Sequence, residues 1–197
     1  MKKRFPIGYF FGFMCGVGAY HILLKADQMV VDHTIHKEAV LNIANKVTNA
    51  HVDTKVAVCF SPGNNCPAEI IRVIDAARKE ILVQAYSFTD TNIYKALLMA
   101  HARGVAVRVI LDKTQLKIAK KFARVGIATS IDYTVRIAHN KVMIIDQKIV
   151  ITGSYNFTFS AANRNAENLL ILRDHAIARL YVYNWHKRRS FSTTVNG

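Results

Sequence analysis

Residues 80–112 read EILVQAYSFTDTNIYKALLMAHARGVAVRVILD, and this stretch decides the architecture. Two apolar runs, at 80–88 and 105–112, flank a segment of helical periodicity that Asp90 and Thr91 can cap and Gly104 stops. The second run is almost wholly β-branched or apolar, as expected of a strand buried on both faces. Working outward, AEIIRVIDAARK places Ile70, Ile71, Ile74 and Ala77 at helical spacing, and KVAVCF at 55–60 is a further short strand. This alternation predicts an α/β fold: a mixed, largely parallel β-sheet with right-handed crossovers and helices on both faces.

Downstream, KTQLKIAKKFAR at 113–124 is a strongly basic helix that Gly126 ends. Its charges read equally as a solvated face or as a polyanion-binding edge. ATSIDY is a weak strand, and after it comes IAHNKVMIIDQKIVITGSYNFTFSAANRNAEN at 137–168. That stretch sets His139, Lys141 and Asp146 in the pattern H-x-K-x4-D, then Gly153, Ser154 and Asn156 as G-S-x-N, then Glu167. A neutral imidazole is a nucleophile at phosphorus and, once protonated, a general acid. Side chains of an extended strand alternate, so Lys141 shares a face with His139 and can hold phosphate oxygens beside it. Ser154 and Asn156 alternate likewise and can donate to developing charge. Asp146 and Glu167 are carboxylates able to fix a tautomer and stabilise an imidazolium. A buried hairpin with surface charges would explain KVMIID and KIVITGS, but not the five polar residues around them. The chain closes with the strand NLLIL and the helix DHAIARLYVYNWHKRR, whose Ile177, Leu180, Tyr181, Tyr183 and Trp185 include a packing stripe.

The 197 residues suffice for one well-filled domain plus an appendage. Lys and Arg number 27 against 13 Asp and Glu, a formal charge of +14, which favours polyanionic partners: nucleic acid or an anionic membrane surface. After residue 50, 21 basic residues face 10 acidic ones. Residues 1–24 read as an export element, with Lys2, Lys3 and Arg4 ahead of an apolar run from Phe5 to Leu24. A cleaved signal and a retained membrane anchor both fit, and either exports the domain. Gly8, Gly12 and Gly16 share one helix face that a retained anchor could use for packing. Residues 25–54 read as a helical connector, in which His33 and His36 are solvated rather than metal ligands. Cys59 and Cys66 flank the loop SPGNNCP; with an export signal they suggest a disulfide, the alternative being two free thiols.

The 137–168 stretch, with CFSPGNNC, AEIIRVIDAARKEI, LVQAYSFTD and ALLMAHARGVAVRVILD, resembles the small single-motif bacterial members of the phospholipase D superfamily. Those members include secreted phospholipases D and endonucleases without sequence preference. The likeness implies a phospholipase D-like phosphodiesterase domain over 55–189, with 190–197 as a tail. In this superfamily two H-x-K-x4-D elements build one active centre, yet His101, His175 and His186 lack a lysine two places on. The resemblance therefore implies a homodimer in which two copies of His139 face each other. One forms a phosphohistidine; the other protonates the leaving oxygen and then activates water. Lys141 and Asn156 would bind phosphate oxygens, Gly153 and Ser154 support the turn, Glu167 orients an imidazole, and Asp146 stabilises charge or structure.

No cofactor and no metal are implied. Mitochondrial relatives carry a cysteine and histidine zinc cluster near the first strand, where this chain has only Cys59 and Cys66. The paired cysteines around FSPGNN and the wording of IAHNKVMIID resemble the secreted phospholipases more closely than the endonucleases, and that resemblance ranks a phospholipid substrate such as phosphatidylcholine first, with metal-independent cleavage of DNA or RNA as the alternative. A binding module without catalysis is a third class, which turnover of bis-p-nitrophenyl phosphate would exclude.

Overall fold

The computed structural model describes residues 55–197. The expectations for residues 1–24 and 25–54 lie outside the described residues. The chain runs β1 (Lys55–Ser61), α1 (Cys66–Asp75), β2 (Glu80–Ala85), α2 (Thr91–Ala102) and β3 (Ala106–Asp112). A single 3-10 turn (Lys113–Gln115) leads into α3 (Leu116–Arg124), then β4 (Ala128–Asp132), β5 (Lys141–Ile145) and β6 (Ile149–Gly153). α4 (Phe159–Asn163), β7 (Glu167–Arg173), α5 (His175–Ser190) and β8 (Thr193–Thr194) complete it.

One eight-stranded sheet forms in the order β1-β7-β6-β5-β2-β3-β4-β8. Helices cover both faces, as the alternation predicts. Ile81, Val83, Val109 and Leu111 pack with α1 to α4 in the larger core. Leu82, Ile110, Val142 and Ile144 point the other way, against Ala178 and Trp185 of α5. The Trp185 indole N–H also donates to the Val83 carbonyl at 2.9 Å, so α5 is held by a buried hydrogen bond as well as by area.

Two expectations need correction. The sheet is mixed but not largely parallel: only β2–β3 and β3–β4 run parallel. The other five pairings are antiparallel. Parallel neighbours need a long crossover, which only α2 and α3 provide here, whereas β5 and β6 are joined by three residues, Asp146 to Lys148. The second correction concerns 190–197. Thr193 and Thr194 pair with Ile131 and Ser130 of β4, and the Val195 N–H donates to the Thr129 carbonyl. The last residues thus finish the sheet edge instead of trailing from it.

The β5–β6 turn also relocates Asp146. Asp146 and Gln147 have φ of 52° and 55°, and the Lys148 N–H donates to the Ile145 carbonyl at 3.0 Å. Positive φ at both central residues is the type I′ geometry, which aspartate tolerates better than most side chains. Its carboxylate accepts N–H bonds from Arg78 at 2.9 Å, Lys79 at 2.7 Å and Glu80 at 3.0 Å. Asp146 therefore pins the hairpin to the start of β2. Five residue steps of extended chain separate it from Lys141 by roughly 17 Å, so grouping it with His139 and Lys141 as catalytic does not hold.

Cys59 and Cys66 are joined by a disulfide between β1 and the first turn of α1, with Cα atoms 5.7 Å apart. Closing so small a ring restricts the unfolded chain by roughly 2 to 3 kcal/mol.

Asp112, Asp132 and Asp146 all have pKa values below the ordinary carboxylate value. Burial pulls each upward, and hydrogen bonds outweigh it: from Thr114 and Ala138 to Asp112, from Arg188 and Thr134 to Asp132, and from the Glu80, Lys79 and Arg78 amides to Asp146. A folded pKa below the unfolded one contributes stability that is complete above about pH 4 and lost as pH falls below it. Asp146→Asn should cost about 1 to 3 kcal/mol at pH 7 and clearly less near pH 3. Denaturant melts at the two pH values check this; an equal penalty at both would show that the charge of Asp146 contributes nothing.

Candidate active site

The antiparallel register of β2 and β5 places Ala85 opposite Lys141, at the carboxyl end of β2. His139 precedes β5 by two residues and so stands in the crevice beyond the ends of the parallel strands, where open α/β sheets bind ligands. Two backbone bonds hold it there. Asp112, 1% exposed at the end of β3, accepts the Ala138 N–H at 2.8 Å. The Tyr86 N–H donates to the Asn140 carbonyl at 2.8 Å.

A cleft of about 640 Å³ opens at this point, lined by His139, Lys141, Gly153, Ser154, Asn156 and Glu167. Apart from Asp146, every residue expected from the pattern in 137–168 thus meets in one place. The Lys141 Nζ lies 3.2 Å from His139 Nε2 and donates to the His139 carbonyl at 2.8 Å. An ammonium has no lone pair, so a hydrogen bond between the two requires the tautomer in which Nε2 accepts. Lys141 is only 7% exposed. Burial lowers its pKa from the usual lysine value, and the Glu167 carboxylate opposes that shift.

Glu167 is itself held on both oxygens. It accepts the Ser154 hydroxyl at 2.6 Å and the Asn165 amide at 2.9 Å. Ser154 Oγ in turn accepts the Asn168 N–H at 3.0 Å. Within one protomer the carboxylate therefore braces the G-S-x-N segment. Asn156 lines the cleft, and its buried Oδ1 has no hydrogen-bond partner among the described residues. The segment is tied to the exit of β2, because Thr89 and Asp90 both donate backbone N–H bonds to the Phe157 carbonyl.

Gly153 makes this closeness attainable. Its φ is 144°, and a Cβ there would stand 2.3 Å from the Asn168 carbonyl oxygen. That carbonyl accepts the Ser154 N–H at 3.1 Å, the bond that starts the segment.

Two aromatic residues belong to the site without having been singled out by the pattern. The Tyr86 ring lies 4.5 Å from the His139 ring, centroid to centroid, and its face is 5.0 Å from the Lys141 Nζ. It limits where both groups can move and favours the lysine cation. Tyr181 of α5 adds a wall from the other face of the sheet. The only available signal was position: Tyr86 ends a strand that feeds the crevice. Among the described residues no group of three or more His, Cys, Asp and Glu side chains is placed to hold a metal ion.

An imidazole with an available Nε2, a buried ammonium beside it and an amide across the cleft suit attack at a phosphodiester. A profile of the family described as cardiolipin synthase, PLD-like domain, matches residues 70–187. A phospholipase D of Rickettsia prowazekii is 43% identical over 149 residues, covering 73% of this chain and 72% of the relative. A phospholipase D of Rickettsia felis is 41% identical over 166 residues, covering 79% and 82%. Among solved structures, Nuc of Salmonella typhimurium, a phospholipase D family member, superposes with a TM-score of 0.70 at 31% identity, over 74% of this chain and all of that one. The chain belongs to the phospholipase D superfamily. It is a phosphodiesterase, a hydrolase of phosphoric diester bonds.

Gly153→Ala should lower folding stability by about 1 to 3 kcal/mol, because β6 and β7 cannot separate without losing the Ser154 bonds, and turnover should fall with it. Thermal melts beside activity assays check this. An alanine variant of unchanged stability would mean that the two strand ends part freely.

Proposed function

We propose that two copies of the chain share one active centre and hydrolyse the headgroup phosphodiester of a phospholipid such as phosphatidylcholine through a phosphohistidine. The observation that carries this reading is that each cleft contains a single imidazole, already paired through Nε2 with the Lys141 ammonium. When a substrate phosphate enters, Lys141 and Asn156 bind its oxygens and Nε2 is released to attack phosphorus. The N–P bond forms as the P–O bond to the headgroup breaks. The departing oxygen needs a proton that the attacking ring, now bonded to phosphorus, cannot supply from the same nitrogen. The partner's copy of His139 supplies it, then takes a proton from water as that water attacks phosphorus and breaks the N–P bond. The products are phosphatidate and the free headgroup alcohol.

A lipid substrate is favoured by the Rickettsia relatives named phospholipase D, at 41% to 46% identity. The second reading, metal-independent cleavage of DNA or RNA, draws on the likeness to Nuc at 31% identity and on the excess of basic residues. The disulfide between Cys59 and Cys66 supports export through residues 1–24, since such bridges persist in oxidising compartments.

The full chain, assayed in EDTA on phosphatidylcholine vesicles and on plasmid DNA side by side, should release choline without nicking. Nicking without choline release would establish the nuclease reading. His139→Asn should reduce turnover at least about a hundredfold. Refolding wild-type and His139→Asn chains together in equal amounts tests the shared centre: if both imidazoles are needed, roughly one quarter of the activity survives, against one half for independent sites.

A further inference from the structure

The face of α3 turned away from the sheet is both cationic and apolar. Residues 113–124 carry Lys113, Lys117, Lys120, Lys121 and Arg124 and no acid. All five are exposed, and none takes part in an ion pair within the described residues. Leu116 and Val125 stand exposed among them, at 39% and 44%. Between this helix and the first turn of α2 lies a cavity of about 320 Å³, to which Phe88, Tyr94 and Ile118 give an apolar wall, with Lys117 and Lys121 beside them. Asp90 also lines the cavity, but its Oδ1 is committed to the Asn92 and Ile93 amides at 2.8 and 3.0 Å.

Cations alone would suit any polyanion. The cavity decides between them. A nucleic acid would need several open aromatic faces for successive bases, whereas Phe88 is only 1% exposed and packs on Phe122 at 5.4 Å, which leaves Tyr94 as the one aromatic ring able to offer a surface in this cavity. An anionic phospholipid brings a phosphate for the lysines and an acyl segment for the apolar wall. The cavity also opens on the catalytic edge of the sheet. Phe88 to Thr91 leave β2 there and Thr114 and Gln115 leave β3. Asp112, which holds Ala138 beside the catalytic histidine, accepts the Thr114 N–H and hydroxyl at 3.0 and 2.8 Å.

We propose that α3 and the cavity beside it form an accessory site for an anionic phospholipid of a membrane, separate from the catalytic cleft. The site takes the phosphate on Lys117 and Lys121 and an acyl segment against Tyr94 and Ile118, and turns the His139 edge toward the bilayer. It requires no turnover, and it stands whether the cleft cleaves lipid or nucleic acid.

The full chain carrying His139→Asn, held in neutral detergent and titrated with phosphatidylglycerol, should show slowed amide exchange across 113–124, and phosphatidylcholine should not produce it. Lys117→Gln with Lys121→Gln should weaken the effect roughly twenty-five-fold, each basic residue near an anionic surface contributing a factor of about five. The same pair in the chain with His139 intact should leave turnover of bis-p-nitrophenyl phosphate unchanged, which confirms its fold and separates this site from the cleft. Absence of phosphatidylglycerol-dependent protection in the His139→Asn chain, when its parent with His139 intact turns over that substrate, would overturn the proposal. So would protection of the same amides by DNA and not by lipid, which would make α3 a nucleic-acid surface.

Discussion

The site depends on the register between β2 and β5. Ile81 faces Ile145 at one end of that pair and Ala85 faces Lys141 at the other. A slip of one residue would send every side chain of β5 to the opposite face of the sheet, taking Lys141 out of the cleft and exchanging the two cores. Polar locks at both ends prevent it. At the hairpin, the Asp146 carboxylate grips three successive amides at the start of β2. At the catalytic end, Asp112 holds Ala138 and the Tyr86 amide holds Asn140. Neither carboxylate is a catalytic residue, yet together they fix the strand from which the chemistry projects.

Electrostatics then prepares the cleft for an anion. An ammonium as buried as Lys141 is costly unless compensated, and the compensation comes from the Glu167 carboxylate, itself braced by Ser154 and Asn165. Gly153 allows β6 and β7 to close to the distance at which Ser154 reaches both Glu167 and Asn168. Backbone clearance, hydroxyl, carboxylate and ammonium form one chain of dependence. It ends at the Lys141 Nζ, the group nearest to the His139 nitrogen that does the attacking under the dimeric reading.

Most of this was legible in the sequence where the signal is local. Helical and strand periodicities placed nearly every element, because an amphipathic face leaves its period in the residues that build it. H-x-K and G-S-x-N were legible because alternation on a strand converts spacing directly into a shared face. Strand direction was not. KVMIID and KIVITGS read as a hairpin, but nothing local in them shows that β5 pairs antiparallel with β2 or that β7 enters antiparallel between β1 and β6, the pairings that make the sheet mostly antiparallel. Thr193 and Thr194 are too short a run to show any period. Proximity in the motif made Asp146 look catalytic, although an extended strand carries a residue farther per step than any other structure. Tyr86, Tyr181 and Asp112 come from other strands and from α5, so only the assembled sheet brings them to the cleft.

The acids also explain why so basic a surface results. Asp90, Asp112, Asp132, Asp146 and Asp174 are all directed at backbone amides: they cap α2, the 3-10 turn, the bend after β4, the start of β2 and α5. Asp132 accepts Arg188 as well. Negative charge is thus spent on the turns that return the chain after each strand, where its hydrogen bonds are worth most. The lysines of α3 have no such internal duty and stay outside. A polyanion approaching the carboxyl edge of the sheet therefore meets a more one-sided field than the formal count of charges implies. Asp90, Asp112 and Asp132, which follow or end β2, β3 and β4, are by that same use withheld from neutralising the surface at this edge.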